Sequence, residues 1–143
     1  MIALDTNVLV YAHRADSTWH LKARSVVEEL ANGRAQWCIP WPCIFEFFGV
    51  VTRARAYNPP TPTETARTQI TALLGNASLQ LIAEDVGFWP VLETVLAESQ
   101  VAGAAVHDAR IAALCIHHGV TTLYSTDRDF SRFPRLKTVN PLI

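Results

Sequence analysis

The sequence predicts an α/β fold in which a parallel sheet is wrapped by helices. Short apolar runs recur along the chain, stretches of helical spacing separate them, and turn residues mark the junctions. Parallel strands need long crossover connections, and the intervening helices supply them. Ile2, Ala3 and Leu4 open the chain as a buried strand that ends at Asp5. Asp5-Thr6-Asn7 reads as a strand-to-helix corner, with Val8, Leu9 and Val10 entering a short helix. Ser17 or Thr18 caps a second helix, in which Leu21, Val26, Val27 and Leu30 are the apolar positions and Asn32-Gly33 is the stop. Trp37, Cys38 and Ile39 form a second buried strand, closed by Pro40.

Pro42 suits the first turn of a third helix, expected over residues 41–55. The run Tyr57-Asn58-Pro59-Pro60-Thr61-Pro62 is neither helix nor strand and is therefore a loop. A helix restarts at Thr63 and passes through Ile70, Leu73 and Leu74 to Gly75-Asn76. Leu79 to Ile82 is the third strand, followed by a helix through Val91, Leu92, Val95 and Leu96. Another helix starts at His107 or Asp108 and stops at Gly119. Thr122, Leu123 and Tyr124 form a fourth strand, and Thr138-Val139 a short fifth.

The 143 residues are expected to form one domain, 1–143, of a size that builds its core without disulfides or a structural metal. With 50 % hydrophobic and 17 % charged residues, the composition excludes intrinsic disorder. The apolar runs are far too short to cross a membrane, no signal peptide opens the sequence, and Cys38, Cys43 and Cys115 suit a reducing compartment. A cytoplasmic protein is therefore expected. Six glycines argue against a nucleotide-binding glycine loop. The net charge of −1 excludes binding to nucleic acid by bulk charge alone. The charges are nevertheless segregated, with no Lys or Arg between Arg67 and Arg110, and a basic tail from Arg128 through Arg132 and Arg135 to Lys137.

The acidic residues carry the chemistry. In open α/β sheets ligands bind at the carboxyl ends of the strands, where Asp5 and Asp127 both fall. Taken singly, each is equally readable as a turn or cap residue. Glu46 lies in the apolar run Cys43-Ile44-Phe45-Glu46-Phe47-Phe48, and a carboxylate there is costly unless paired, protonated or coordinating a cation. Asp108 begins a helix whose stripe of Ile111, Ala112 and Cys115 packs on the sheet, so it is expected to point inward at the top edge. Carboxylates converging at one edge repel, and a hard divalent cation such as Mg²⁺ or Mn²⁺ relieves that repulsion. Such a site activates water and stabilises a phosphodiester transition state.

These residues resemble a known family. Leu4-Asp5-Thr6-Asn7-Val8-Leu9, Glu46 in its apolar helix, His107-Asp108-Ala109-Arg110-Ile111-Ala112 and Ser125-Thr126-Asp127-Arg128-Asp129-Phe130 occur in the order typical of PIN domains. The sequence is most similar there to VapC-type toxin ribonucleases of type II toxin–antitoxin operons, over essentially the whole chain. The resemblance implies a three-layer α/β/α fold with a short, mainly parallel sheet of four to five strands. It implies an endoribonuclease in which Asp5, Glu46, Asp108 and Asp127 form an acidic quartet. Asp5, Asp108 and Asp127 would hold Mg²⁺ (Mn²⁺ as the alternative), and Glu46 would bind metal or orient the attacking water. Asp129 shares or takes the fourth place. A polar assistant is implied at Ser125 or Thr126, with Asn7 ordering the first carboxylate and Ser125 among the substrate contacts. A small VapB-like antitoxin is the implied partner, and a homodimer the expected assembly.

Arg110 is a candidate for holding a substrate phosphate and is also readable as an exposed helix charge. The basic tail is an RNA-contact candidate. His117-His118 reads as an exposed helix end, and no zinc spacing accompanies the cysteines. Most of the four tryptophans belong in the core, with Trp19 and Trp41 partly exposed. The antitoxin groove is expected between the helices at Trp19 and Trp41, near loop 57–62. Two other readings remain. A haloacid-dehalogenase-type phosphatase wants a second Asp where Asn7 stands, and a convincing lysine besides Lys22 and Lys137. A non-catalytic PIN-like module binding RNA or protein would not need the intact acidic set.

Overall fold

The computed structural model describes residues 1–143. Its elements are β1 (Ile2–Leu4), α1 (Thr6–His13), α2 (His20–Asn32), β2 (Trp37–Pro40), α3 (Trp41–Val51), α4 (Thr63–Leu74), β3 (Leu79–Ile82), α5 (Phe88–Ser99), α6 (Val106–His117), β4 (Thr122–Tyr124) and β5 (Lys137–Val139). The five strands form one sheet in the order β3-β2-β1-β4-β5, and every pair is parallel. Ala3 of β1 stands opposite Cys38 on one side and Leu123 on the other. Helices α1 to α4 pack among themselves, as do α5 and α6. Right-handed crossovers place the two groups on opposite faces, giving the three-layer α/β/α fold. The chain winds outward from β1 to β3, then returns past β1 to β4. The direction of winding reverses between β1 and β4, and the carboxyl ends of these two strands bound the crevice.

The inner strands β1, β2 and β4 are largely buried on both faces, whereas the edge strands β3 and β5 keep exposed positions at Gln80, Lys137 and Val139. All four residues of β2 are buried, and Leu4, Trp37, Ile39 and Leu123 are among the fully enclosed side chains. Ile111, Ala112, Leu114 and Cys115 of α6 complete the layer beneath. The Trp37 indole N–H donates to Ser78 Oγ at 2.9 Å, and Ser78 Oγ donates to Ala31 O at 3.1 Å, tying β2 to the end of α2.

Several boundaries differ from expectation for local reasons. Helix α3 stops at Val51 rather than Arg55, because Thr52 Oγ1 bonds back to Phe48 O at 2.7 Å and the following polar residues have no apolar face to bury. Ser17 does not cap α2; its Oγ accepts the Trp19 N–H at 3.2 Å, one turn ahead of the helix. Pro40 is the last residue of β2 rather than its terminator. Helix α6 begins at Val106, one or two residues early, because Gly103 adopts φ 62° and leads a 3₁₀ turn, Gly103–Ala105, straight into it.

The tryptophans divide differently as well. Only Trp37 is fully enclosed, Trp19 is partly exposed, and Trp89 is 60 % exposed on α5. Trp37→Ala is expected to cost about 3–5 kcal/mol through the cavity it leaves. Trp89→Ala should stay within about 0.5 kcal/mol. Urea unfolding monitored by circular dichroism measures both.

Candidate active site

Asp5 follows β1 directly and is delivered into the interior, with 4 % of its surface exposed. Its backbone N–H donates to Tyr124 O at 3.0 Å, continuing the β1–β4 ladder one residue beyond the strand. Ser125 Oγ donates to Asp5 Oδ2 at 2.6 Å, and Cys43 Sγ lies 3.6 Å from Asp5 Oδ1. Burial drives the Asp5 carboxyl up to about 6 and the Glu46 charge adds to this, while the Ser125 hydroxyl and the Thr6 amide oppose it. The buried Cys43 thiol is itself pushed well above its usual range, first by desolvation and then by the Asp5 charge, so it remains a neutral donor.

Ser125 is the hinge of this arrangement. It is buried, gives its proton to Asp5, and accepts the Asp127 backbone N–H at 3.0 Å. Asp127 Oδ1 in turn accepts the Asp129 N–H at 2.8 Å and caps the 3₁₀ helix Arg128–Arg132. The carboxylate oxygens of Asp108, Asp127 and Asp129 come within 4.8 Å of one another. Burial raises the Asp108 carboxyl above its ordinary value, and the charges of Asp127, Glu46 and Asp129 raise it further against Arg132. The alternatives left open for the fourth acid therefore do not exclude one another, because Asp127 and Asp129 both reach Asp108.

Glu46 corrects an expectation. It is exposed, because α3 turns Pro42, Cys43, Ile44, Phe47 and Val51 inward and leaves Phe45, Glu46 and Gly49 on its outer side. Its apolar neighbours in sequence are not its neighbours in space. Thr6 Oγ1 donates to Glu46 Oε2 at 2.7 Å, so the first residue of α1 holds the carboxylate from across the crevice. Thr6 was missed as a functional residue. Its signal was present in the Asp-Thr-Asn corner, where only a 4 % exposed hydroxyl would need a partner. Asp108 is also corrected: it is the third residue of α6 and caps nothing.

Other expected roles shift similarly. Asn7 makes no hydrogen bond to Asp5; Ser125 and Cys43 fill that place. Ser125 is enclosed, and its hydroxyl is engaged on both sides, donating to Asp5 and accepting from the Asp127 amide. Arg110 pairs with Glu84 at the surface and holds that carboxyl below the usual carboxylate range. His117 and His118 are not an exposed end. His117 Nε2 meets Asp85 Oδ1 at 2.5 Å and His118 Nε2 meets Ala83 O at 2.8 Å, pinning the segment after β3 to α6. The basic tail divides, since Arg135 pairs with Glu98 whereas Arg128 and Arg132 have no ion-pair partner.

The donor set suits a hard divalent cation. The cluster of Asp108, Asp127 and Asp129 offers only carboxylate oxygens, and a bound cation would reverse the raised pKa of Asp108 and that of Asp5, which Ser125 links to the Asp127 amide. Away from it, a cleft of about 350 Å³ opens among α1, α2, α3 and α4, lined by Leu9, Ala12, Val27, Phe47 and Leu73. Neither Trp19 nor Trp41 lines it; Trp41 instead stacks on Phe45 with ring centroids 5.9 Å apart.

The PIN-domain family profile matches residues 2–136. Ribonuclease VapC48 of Mycobacterium tuberculosis is 33 % identical over 137 residues, covering 96 % of this chain and 94 % of the relative. The chain belongs to the PIN-domain family, in its VapC branch. Ribonuclease VapC43 of the same organism is 34 % identical over 142 residues, covering 99 % and 96 %. Among solved structures, VapBC2 from Rickettsia felis bound to a promoter DNA fragment has the same fold, with a TM-score of 0.71 at 21 % identity over 97 % of this chain and 98 % of that one. The PIN domain therefore holds its acids where the fold reverses direction, and no helix in it is long and apolar enough to cross a membrane.

The buried acid makes a signed prediction. The folded protein keeps the Asp5 proton up to about pH 6, whereas the unfolded chain releases it near 3.8. Between those values the folded state binds more protons, so this residue's contribution to stability falls as pH rises through the window. The loss amounts to about 3 kcal/mol for a shift from 3.8 to about 6. In EDTA, Asp5→Asn should gain stability relative to the parent by up to that amount at pH 7.5 and show no difference near pH 3.5. Urea titrations across pH check the difference curve; a flat one would remove the buried charge from the account.

Proposed function

We propose that this PIN domain is a Mg²⁺- or Mn²⁺-dependent endoribonuclease, the toxin of a type II toxin–antitoxin pair, which hydrolyses RNA phosphodiester bonds at its carboxylate cluster. The observation that supports it best is the meeting of Asp108, Asp127 and Asp129 oxygens within 4.8 Å beside the buried Asp5. Asp5, Asp108 and Asp127 are the ligands in this reading, with Asp129 at the exposed rim. A divalent cation bound there supplies positive charge against the non-bridging and leaving oxygens and eases deprotonation of an attacking water. Glu46, solvated and steadied by Thr6 Oγ1, orients that water for in-line attack. Ser125 keeps Asp5 in place while its link to the Asp127 amide sets the position of the acid beyond β4.

The partner in this reading is a small VapB-like antitoxin whose apolar segment occupies the cleft among α1 to α4. Support comes from the mixed lining of that cleft, in which Leu9, Val27 and Leu73 offer apolar contact beside His20, Arg24 and Glu28, in a nearly neutral protein. A homodimer is the assembly we carry forward, to be read by light scattering.

Two measurements test the reading. Mg²⁺ or Mn²⁺ at ~100 times its dissociation constant should stabilise the protein by ~2.7 kcal/mol. Asp108→Asn should lose both this shift and RNA cleavage. Glu46→Gln should lower cleavage at least tenfold with little change in stability, since its charge is solvated, and Thr6→Val should reproduce part of that loss. Melting temperatures indifferent to Mg²⁺, Mn²⁺ and Ca²⁺ alike would overturn the metal site. For the partner, Leu73→Glu should weaken binding of the product of the adjacent short reading frame by tenfold or more, and Trp19→Ala should not. Equal affinities for all three proteins would place the contact elsewhere.

A further inference from the structure

A second cavity, of about 530 Å³, lies beside the carboxylate cluster between the carboxyl ends of β4 and β5 and the 3₁₀ helix Arg128–Arg132. Ser125, Thr126 and Asp127 belong to its wall, so it adjoins the acidic site directly. Its floor is apolar, built by the buried side chains of Phe130, Phe133 and Leu136. Strand periodicity turns Leu136, Thr138 and Asn140 to the same face, and all three line the cavity.

The polar groups here are unusual in being uncommitted. Thr138 Oγ1 is the only buried side-chain oxygen or nitrogen in the protein without a hydrogen-bond partner. Such groups are rare because each forgoes about 1–3 kcal/mol of hydration. Asn140 Oδ1 accepts the Leu142 N–H at 2.9 Å, which commits the carbonyl oxygen and leaves the amide NH₂ to donate. Arg128 at the rim is exposed and makes no ion pair.

We propose that this cavity takes one unstacked nucleobase of the RNA strand whose phosphate sits at the carboxylate cluster, and that it prefers a keto base, uracil or guanine. The inference rests on the nuclease reading for the strand's position and deepens it. An apolar floor with polar groups at one edge suits a flat ring with a hydrogen-bonding rim, and the volume lies within the ordinary range for small-ligand sites. Sequence-specific recognition of RNA works mainly on bases splayed out of single-stranded segments, which a cavity beside the cleavage point demands. The keto preference holds for a base seated with its pyrimidine 4-position or purine 6-position toward Asn140, whose free group only donates; O4 or O6 accepts there, and the exocyclic amine that cytosine or adenine carries at that position does not. Thr138 lines the same wall and brings its enclosed Oγ1 to the ring as a further donor by rotating about χ1, and Arg128 meets the adjoining phosphate.

The experiment has two arms. In the first, a randomised single-stranded RNA pool is cut with Mg²⁺ or Mn²⁺ and the ends are sequenced. A keto base should be enriched at least tenfold at one position next to the cut. Thr138→Val should flatten that enrichment. Asn140→Asp, which keeps the oxygen that accepts the Leu142 N–H but replaces the donor with an acceptor, should shift it toward cytosine and adenine. An unbiased parental pattern, or variants that cut with the parental preference, would overturn the proposal. The second arm needs no cleavage: nuclear magnetic resonance titrations in EDTA with uridine against cytidine, and inosine against adenosine. The keto member of each pair should bind several-fold more tightly and perturb Thr138 and Asn140 resonances; equal binding or shifts elsewhere would overturn the pocket. If the protein cuts no RNA, the nuclease reading fails while this second arm still decides the cavity.

Discussion

A carboxylate is held in the interior at the end of the central strand, and the neighbouring elements are arranged around it. Asp5 is kept there by the Ser125 hydroxyl from beyond β4, by the Cys43 thiol from α3 and by its own amide bond to Tyr124. Those contacts join three elements that are far apart in sequence. The same Ser125 oxygen receives the Asp127 amide, and Asp127 receives the Asp129 amide, so the buried acid at β1 sets the course of the loop after β4. Without Ser125, Asp5 would lose its one strong donor, and the loop carrying two further acids would lose its anchor.

The arrangement stores electrostatic cost at the sheet edge. Burial and mutual repulsion raise both Asp5 and Asp108, and hydrogen bonds offset only part of this. Stability is supplied elsewhere, by the enclosed side chains of β1, β2, β4 and α6. The ion pairs that join Arg110 to Glu84 and Arg135 to Glu98 lie at the surface and contribute little each. Their effect is to remove two arginines from the field of the site. Arg128 and Arg132 stay unpaired beside the acids, and a chain of net charge −1 thereby presents cationic groups next to an acidic crevice. That juxtaposition is what a phosphate backbone approaching a carboxylate cluster requires, since repulsion from the acids is offset within the same surface.

The reversal of winding between β1 and β4 was not legible in the sequence, whereas the strands, their parallel arrangement and the placing of Asp5 and Asp127 at strand ends were. Each depends on local signals: apolar runs of strand length, glycine and proline at junctions, and acids directly after strands. The family motifs likewise marked Glu46 and Asp108. Their surroundings were not legible. Glu46 sits among large apolar residues along the chain, yet it is solvated, because a helix shows its neighbours in sequence to opposite sides. Asp108 reads as the start of its helix, but the 3₁₀ turn led by the left-handed Gly103 begins α6 at Val106. Arg110 looked free until β3 brought Glu84 against it.

By itself the sequence determined the fold class and the identities of the acids, because hydrophobic periodicity and turn chemistry act between residues a few positions apart. Only the tertiary structure decided what each acid experiences. The partners that govern the site, Thr6 with Glu46, Ser125 with Asp5 and Cys43 with Asp5, are separated by 40, 120 and 38 residues. Hydrogen bonds and desolvation depend on distances of a few ångströms, and over such separations those distances are set by the packing of the sheet and its helices rather than by spacing along the chain.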